Sequence, residues 1–184
     1  MTTPTIAEQI KYADLQMAAE AFIRDKNTLE LYQSRSDLIR VLKAGNGHSS
    51  RFTQTQAETF VDTWQVVDQL ANTHTGFSGT LFRARKDDLL KGIKANDLVI
   101  SFRSTEFIDD AIRDNGTNTL EIKDTGFAWG QIRDMEDWYT RLQSQGLLPS
   151  GESFSVTGYS LGGHLATVFN LLRREEGIDQ RKAA

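Results

Sequence analysis

The chain has 184 residues, 39% of them hydrophobic and 25% charged, with a formal net charge of −4 and no cysteine. That length and balance suit one soluble globular domain with a real core. They exclude a disulfide framework, thiolate chemistry and a membrane-spanning run, and no cluster of lysine and arginine marks nucleic acid as a partner.

The N-terminus reads Met1-Thr-Thr-Pro-Thr-Ile-Ala-Glu8. It lacks the basic and apolar stretches of a signal peptide, which predicts a cytoplasmic protein or one exported by a non-classical route. Residues 5–25 place Ile6, Ile10, Ala13, Met17, Ala21 and Phe22 at three- and four-residue spacing, the pattern of an amphipathic helix. Residues 28–43, with Leu29, Tyr32, Leu38, Ile39 and Leu42, predict a second helix, interrupted near 34–36. Gly45-Asn46-Gly47 is a loop. Thr53 is placed to cap a third helix through 54–72, with Phe60, Trp64, Val67 and Ala71 on its core face. Residues 1–75 thus read as a helical region packed over a sheet.

From Gly76 the period changes. Gly79–Ala84 predicts a strand, 87–94 a polar connection, and Leu98–Phe102 a strand buried on both faces. A short helix over 106–114 and a strand over 119–123 follow. Residues 128–145 carry Trp129, Ile132, Met135, Trp138, Tyr139 and Leu142 at helical spacing, with Gly146 as the stop and Pro149 shortly beyond. A strand over 153–157 and a helix over 161–176 complete the pattern. Strand and helix alternate after residue 95, which predicts an α/β fold with a mostly parallel sheet.

The chemistry concentrates at Gly158-Tyr159-Ser160-Leu161-Gly162, a G-x-S-x-G pentapeptide. Phe154 and Val156 alternate before it, and Leu165, Val168, Phe169, Leu171 and Leu172 follow on one helical face. That is the strand–turn–helix context of a nucleophile elbow. The small residues two before and two after the serine keep side chains out of the strand–helix contact. Ser160 would then expose its hydroxyl at a helix N-terminus, where unpaired N–H groups favour developing negative charge. In that arrangement one oxyanion donor is the N–H of Leu161, and the other comes from the loop after an earlier strand. The matching stretch is Ser101-Phe-Arg-Ser-Thr105-Glu106. Ser104 or Thr105 there offers an N–H and a hydroxyl to an oxyanion, or caps the helix over 106–114, and the two roles can coexist.

Three landmarks come in order: Leu98-Val-Ile-Ser-Phe-Arg-Ser-Thr105, then Thr125-Gly-Phe127 before a helix, then Val156-Thr-Gly-Tyr-Ser-Leu-Gly-Gly-His-Leu-Ala166. Together they resemble the class 3 (fungal-type) lipases. The resemblance implies an α/β-hydrolase fold and hydrolysis of carboxylic esters of lipid type. It places Ser160 as nucleophile and the backbone of Leu161 and Thr105 as oxyanion donors, with no cofactor and no metal. The chain departs from the family at three positions. Ser104 stands where the family has Gly, Tyr159 where it has His, and His164 where it has a small apolar residue.

The fold's triad runs Ser, then Asp or Glu, then His along the chain. After Ser160 come Glu175, Glu176, Asp179 and a single histidine, His164, one helical turn from the serine and read as a helix-face residue. Residues 181–184 do not read as a strand. The triad acid and base are therefore not assigned. The expectation is an incomplete α/β-hydrolase domain, 1–184, in which the sheet stops soon after the elbow. Its exposed edge would invite a homo-oligomer. His48 and His74 read as solvated loop residues, and Asp109, Asp110 and Asp114 as a solvated helix face rather than a metal site. Two alternatives stand beside the hydrolase: an inactive lipase-like binding or interaction module, and an esterase completed by a histidine from another chain.

Overall fold

The computed structural model describes residues 5–25, 27–46, 51–104, 128–175 and 181–182. The expected helix over 106–114 and strand over 119–123 lie outside them, as do His48, Asp109, Asp110, Asp114, Thr125 and Thr105.

Three helices come first: α1 (Ile6–Glu20), α2 (Arg35–Ala44) and α3 (Gln54–Thr63). Each begins at a hydroxyl cap. Thr5 accepts from the N–H of Glu8, Ser34 from that of Asp37, and Thr53 from that of Gln56, the last as the sequence predicts. The second helix starts later than expected. Asp25 Oδ1 accepts from the N–H groups of Asn27 and Thr28, Leu29 sits at φ +60°, and Arg24 bridges Leu31. An aspartate that bonds the backbone two and three residues on makes a turn where apolar spacing alone suggested helix.

The third helix is shorter than expected, for a related reason. It stops at Thr63, and β1 (Trp64–Leu70) takes over. Trp64 and Val67 satisfy a helical period, yet Trp-Gln-Val-Val-Asp-Gln-Leu is equally a strand rich in β-formers. Pairing with β2 (Gly79–Ala84) decides it, in register Trp64 with Ala84 and Leu70 with Gly79. The N-terminal region is therefore not purely helical.

The sheet has five strands in sequential order, β1-β2-β3-β4-β5, with β3 (Leu98–Phe102), β4 (Phe154–Gly158) and the two-residue β5 (Arg181–Lys182). The expectation of a mostly parallel sheet is corrected. β1–β2 and β2–β3 are antiparallel, and only β3–β4 and β4–β5 are parallel. The physical reason lies in the connections. The loops over 71–78 and 85–97 contain no α-helix and simply turn the chain back, whereas a parallel return needs a crossover. Helices α4 (Trp129–Ser144) and α5 (Leu161–Glu175) provide those crossovers on the parallel side. Residues 181–182, not expected as a strand, pair with Ser155 and Val156, so β4 is an interior strand.

The helices form layers on both faces. Alternation along β3 divides the core: Val99 joins the cluster beneath α1–α3, while Leu98, Ile100 and Phe102 join the cluster beneath α4 and α5. On the second face Phe77, Phe102, Trp138 and Phe169 pack at tilted or edge-on angles, with ring centroids 5.6–6.4 Å apart. Gly79 makes room there, since a Cβ on it would lie 2.6 Å from Trp138 Cζ3. Leu165, Ala166 and Phe169 bury the apolar face of α5 within the chain, and Leu171 stays exposed.

α1 departs most from its sequence pattern. Ile6 is 77% exposed and Ile10 47% exposed, while Lys11, Leu15, Ala18, Ala19 and Glu20 are buried. The face toward the sheet carries polar residues at four-residue spacing. Tyr12 donates to Ser155 Oγ (3.4 Å), Ser101 Oγ donates to Gln16 (3.0 Å), and Ser104 donates to Glu20.

Asp68 joins the layers. Its carboxylate, 4% exposed, accepts from Arg24, Arg141 and Trp138 Nε1, each at 2.7 Å. Asp68→Ala leaves two guanidinium groups and an indole N–H without this acceptor, and is expected to cost about 3 kcal/mol. Denaturant unfolding followed by tryptophan fluorescence measures it. Asp68→Asn, which keeps an acceptor for Trp138, should lose less.

Candidate active site

The site is built on the end of β4. Gly158 lies opposite Phe102 in the parallel ladder, so β3 and β4 end side by side. After Tyr159 and Ser160, α5 begins at Leu161. Little space separates these parts. A Cβ on Gly158 would lie 2.1 Å from the carbonyl oxygen of Gly162, and one on Gly162 would lie 2.2 Å from that of Phe102 and 3.0 Å from that of Arg103. The first turn of the helix therefore rests, backbone on backbone, against the ends of both strands. No residue with a side chain fits at Gly158 or Gly162 without moving one of those elements.

Such a turn has a conformational cost, and Ser160 carries it. Its φ is +54°, one of three positive values at non-glycine residues among the described residues. A serine in the left-handed region is held there by its surroundings. Ser160 is exposed, as is Tyr159 beside it. The carbonyl of Ser160 accepts from the N–H of His164 at 3.2 Å, the first bond of the helical ladder. Leu161 is the first helical residue, so its N–H lies among the orphan donors that a helix start presents. The backbone of the sequence-predicted elbow is thus in place: strand, left-handed serine, helix.

The second half of the predicted oxyanion site begins at Arg103 and Ser104, which leave β3 on the same side as the elbow. Arg103 is buried. Its N–H donates to Ser78 O (3.0 Å), its guanidinium reaches Asn72 Oδ1, and it stacks 5.0 Å from the Phe22 ring centroid. Ser104 gives both its donors to one oxygen: its N–H lies 3.1 Å and its hydroxyl 2.9 Å from Glu20 Oε1. Gln16 Nε2 donates to that same oxygen at 2.9 Å. Thr105, the residue that the resemblance names as donor, lies outside the described residues.

Sequence reasoning missed Glu20 altogether. It stands at the last position of α1, far from the motif in sequence, and its spacing from Gln16 reads as an ordinary helix-surface pair. His164 lies half-buried on α5, as a helix-face residue, and His74 in the loop before β2.

Compared with family models, with curated proteins and with solved structures, the chain gives no match.

The strain at Ser160 makes a prediction that needs no substrate. Ser160→Gly relieves the left-handed backbone and Ser160→Ala does not, so the glycine variant should be more stable by about 1 kcal/mol. Gly162→Ala should cost roughly 3 kcal/mol or more, because the added Cβ meets strand backbone rather than a movable side chain. Thermal melts of the three variants against the parent chain decide both.

Proposed function

We propose that this chain carries the nucleophile part of a serine hydrolase of the class 3 lipase type, built on an incomplete α/β-hydrolase fold and acting on carboxylic esters of lipid character. One observation carries the reading. Ser160 is an exposed serine in the left-handed conformation, pinned between a strand and a helix whose backbones touch. A Gly-rich turn with no chemistry to perform has no need to place serine, rather than glycine, at a positive φ. Strain of that kind at a nucleophile aims the hydroxyl away from the sheet and toward a substrate.

The Ser160 hydroxyl attacks the ester carbonyl and forms a tetrahedral intermediate. The N–H of Leu161 at the helix start, with that of Thr105 by resemblance, stabilises the oxyanion. The intermediate collapses to an acyl-serine with departure of the alcohol, and attack of water on that ester releases the carboxylic acid and restores the Ser160 hydroxyl. A base to accept the serine proton is not assigned in this chain, and a serine hydroxyl without one is a weak nucleophile. No described helix is long and apolar enough to cross a membrane.

Hydrolysis of p-nitrophenyl acetate and butyrate by this chain should therefore be slow, several orders of magnitude below a complete serine esterase. What remains should depend on Ser160, and Ser160→Ala should reduce it to the buffer rate. Turnover unchanged in Ser160→Ala would remove the functional reading. Fast turnover abolished by Ser160→Ala would reveal a base, to be found by substituting His48, His74 and His164 in turn. The edges of the sheet, β1 and the short β5, are where a second copy would pair. Light scattering on dilute protein should then give a mass above 20.7 kDa.

A further inference from the structure

We propose that the loop between β2 and β3, with the start of α1, docks this chain on the surface of an anionic lipid bilayer. The loop is closed by its own hydrogen bonds. Asp88 and Ile93 exchange both backbone N–H···O bonds at 2.9 Å, and Gly92 turns the chain at φ +59°. Ile93 is buried in the core of the α1–α3 face and anchors the loop. Leu89 and Leu90 stand at its tip in a single 3₁₀ turn, 82% and 87% exposed. The start of α1 is fastened to this loop. Lys11 Nζ donates to the carbonyl of Gly92 at 3.0 Å, and Lys91 pairs with Asp14 at 3.4 Å. That fastening brings the exposed Ile6 and Ile10 to the same end of the molecule. Two joined elements thus hold four large aliphatic side chains in water, and a hydrogen-bonded loop keeps its two leucines from folding back.

Size and shape select the occupant. Four side chains offer roughly a few hundred Å², short of the about 800 Å² a side that a stable protein interface buries. The leucines project from a tip and line no groove. A hydrocarbon layer accepts projecting side chains without a matching pocket. Charge agrees. Residues 85–94 carry four cations, Arg85, Lys86, Lys91 and Lys94, against two carboxylates, Asp87 and Asp88, in a chain of net charge −4. Arg85, Lys86 and Lys94 are exposed. The carboxylates around them are bonded into the fold. Asp87 accepts from the N–H of Ala95, Asp88 from that of Lys91, Asp97 from that of Lys94 and Glu8 from that of Thr5. The cations are too few to bind a membrane alone, and so are the leucines; together they supply the two signals that surface attachment needs. The loop precedes Leu98 at the start of β3, whereas the elbow lies beside Phe102 at its end. Docking therefore leaves Ser160 uncovered, and it does not depend on the hydrolase reading.

The test uses the whole chain and phosphatidylcholine vesicles, with and without about a quarter phosphatidylglycerol. On flotation the parent should rise with the anionic vesicles far more than with the neutral ones, and added salt should release it. Leu89→Ser combined with Leu90→Ser should weaken binding at least about tenfold and leave the melting temperature unchanged, since both side chains already stand in water. Lys86→Gln combined with Lys94→Gln should weaken binding to the anionic vesicles several-fold. The chain has no cysteine, so Leu90→Cys takes a single nitrobenzoxadiazole probe. Its emission should shift to the blue on vesicles, and that of the same probe at Thr167→Cys on α5 should not. A parent that stays in the soluble fraction, or a double-serine variant that floats like the parent, overturns the inference. Binding that ignores lipid charge overturns it too. So does a concentration-dependent dimer that the double-serine variant splits while neither form floats, because the patch then belongs to a second copy. Ser160→Ala should float like the parent. A chain that floats but whose ester turnover ignores Ser160→Ala defeats the functional reading alone.

Discussion

The first turn of α5 rests directly on the ends of β3 and β4, and most of the site is a consequence of that contact. A strand and a helix can meet backbone to backbone only where no Cβ intervenes, which requires glycine at 158 and 162. The connecting residues must then reverse direction within two positions, and the reversal drives Ser160 to φ +54°. The same contact sets the neighbours. Because Phe102 is paired with Gly158 and its carbonyl faces Gly162, the segment leaving β3 emerges beside the turn that carries Ser160. Strain at one residue, two obligatory glycines and the placement of a second loop follow from a single packing constraint.

That constraint needs firm support, and the two helical layers supply it differently. The α4–α5 side is a conventional aromatic and aliphatic core, with Trp138 laid against Gly79 and anchored by its N–H to Asp68. The α1 side is tied by hydrogen bonds at four-residue intervals: Tyr12 to β4, Gln16 to β3, Glu20 to Ser104 just past β3. Gln69 extends the pattern, accepting from the N–H of Ile23 and donating to the carbonyl of Ala21 and to Thr80. Hydrogen bonds are directional where apolar contacts are not, so such a face fixes the register of a helix on a sheet more narrowly than burial alone. It also costs more when a partner is lost, because each buried group is then left unsatisfied.

The mixed character of the sheet divides the work. The antiparallel side, β1 to β3, is joined by loops, and α1 lies across β2, β3 and β4. The parallel side, β3 to β5, is joined by helices and brings the strand ends together where Ser160 stands. Clefts between the carboxyl ends of parallel strands and the helices that follow are where α/β proteins place their chemistry. The elbow is on that side, and Glu20, at the end of α1, accepts from Ser104 where the chain leaves β3.

By itself the sequence determined whatever depends on neighbours along the chain. The elbow was legible because its requirements, two small residues around a serine with strand and helix patterns on either side, lie within a dozen positions. The cap at Thr53, the strands Gly79–Ala84 and Leu98–Phe102, and the helix through Trp138 were legible for the same reason. Tertiary structure alone decided the rest. Trp64–Leu70 fits both a helical and a strand period, and only pairing with β2 selects the strand. The sheet is mixed because two connections turn back without a crossover. The buried face of α1 sets polar residues among Leu15, Ala18 and Ala19, and apolar spacing pointed instead at Ile6 and Ile10, which are exposed, and passed over Glu20. A hydrogen bond between residues 20 and 104 leaves no periodicity in either segment, since its partners are brought together by the layers and not by the chain.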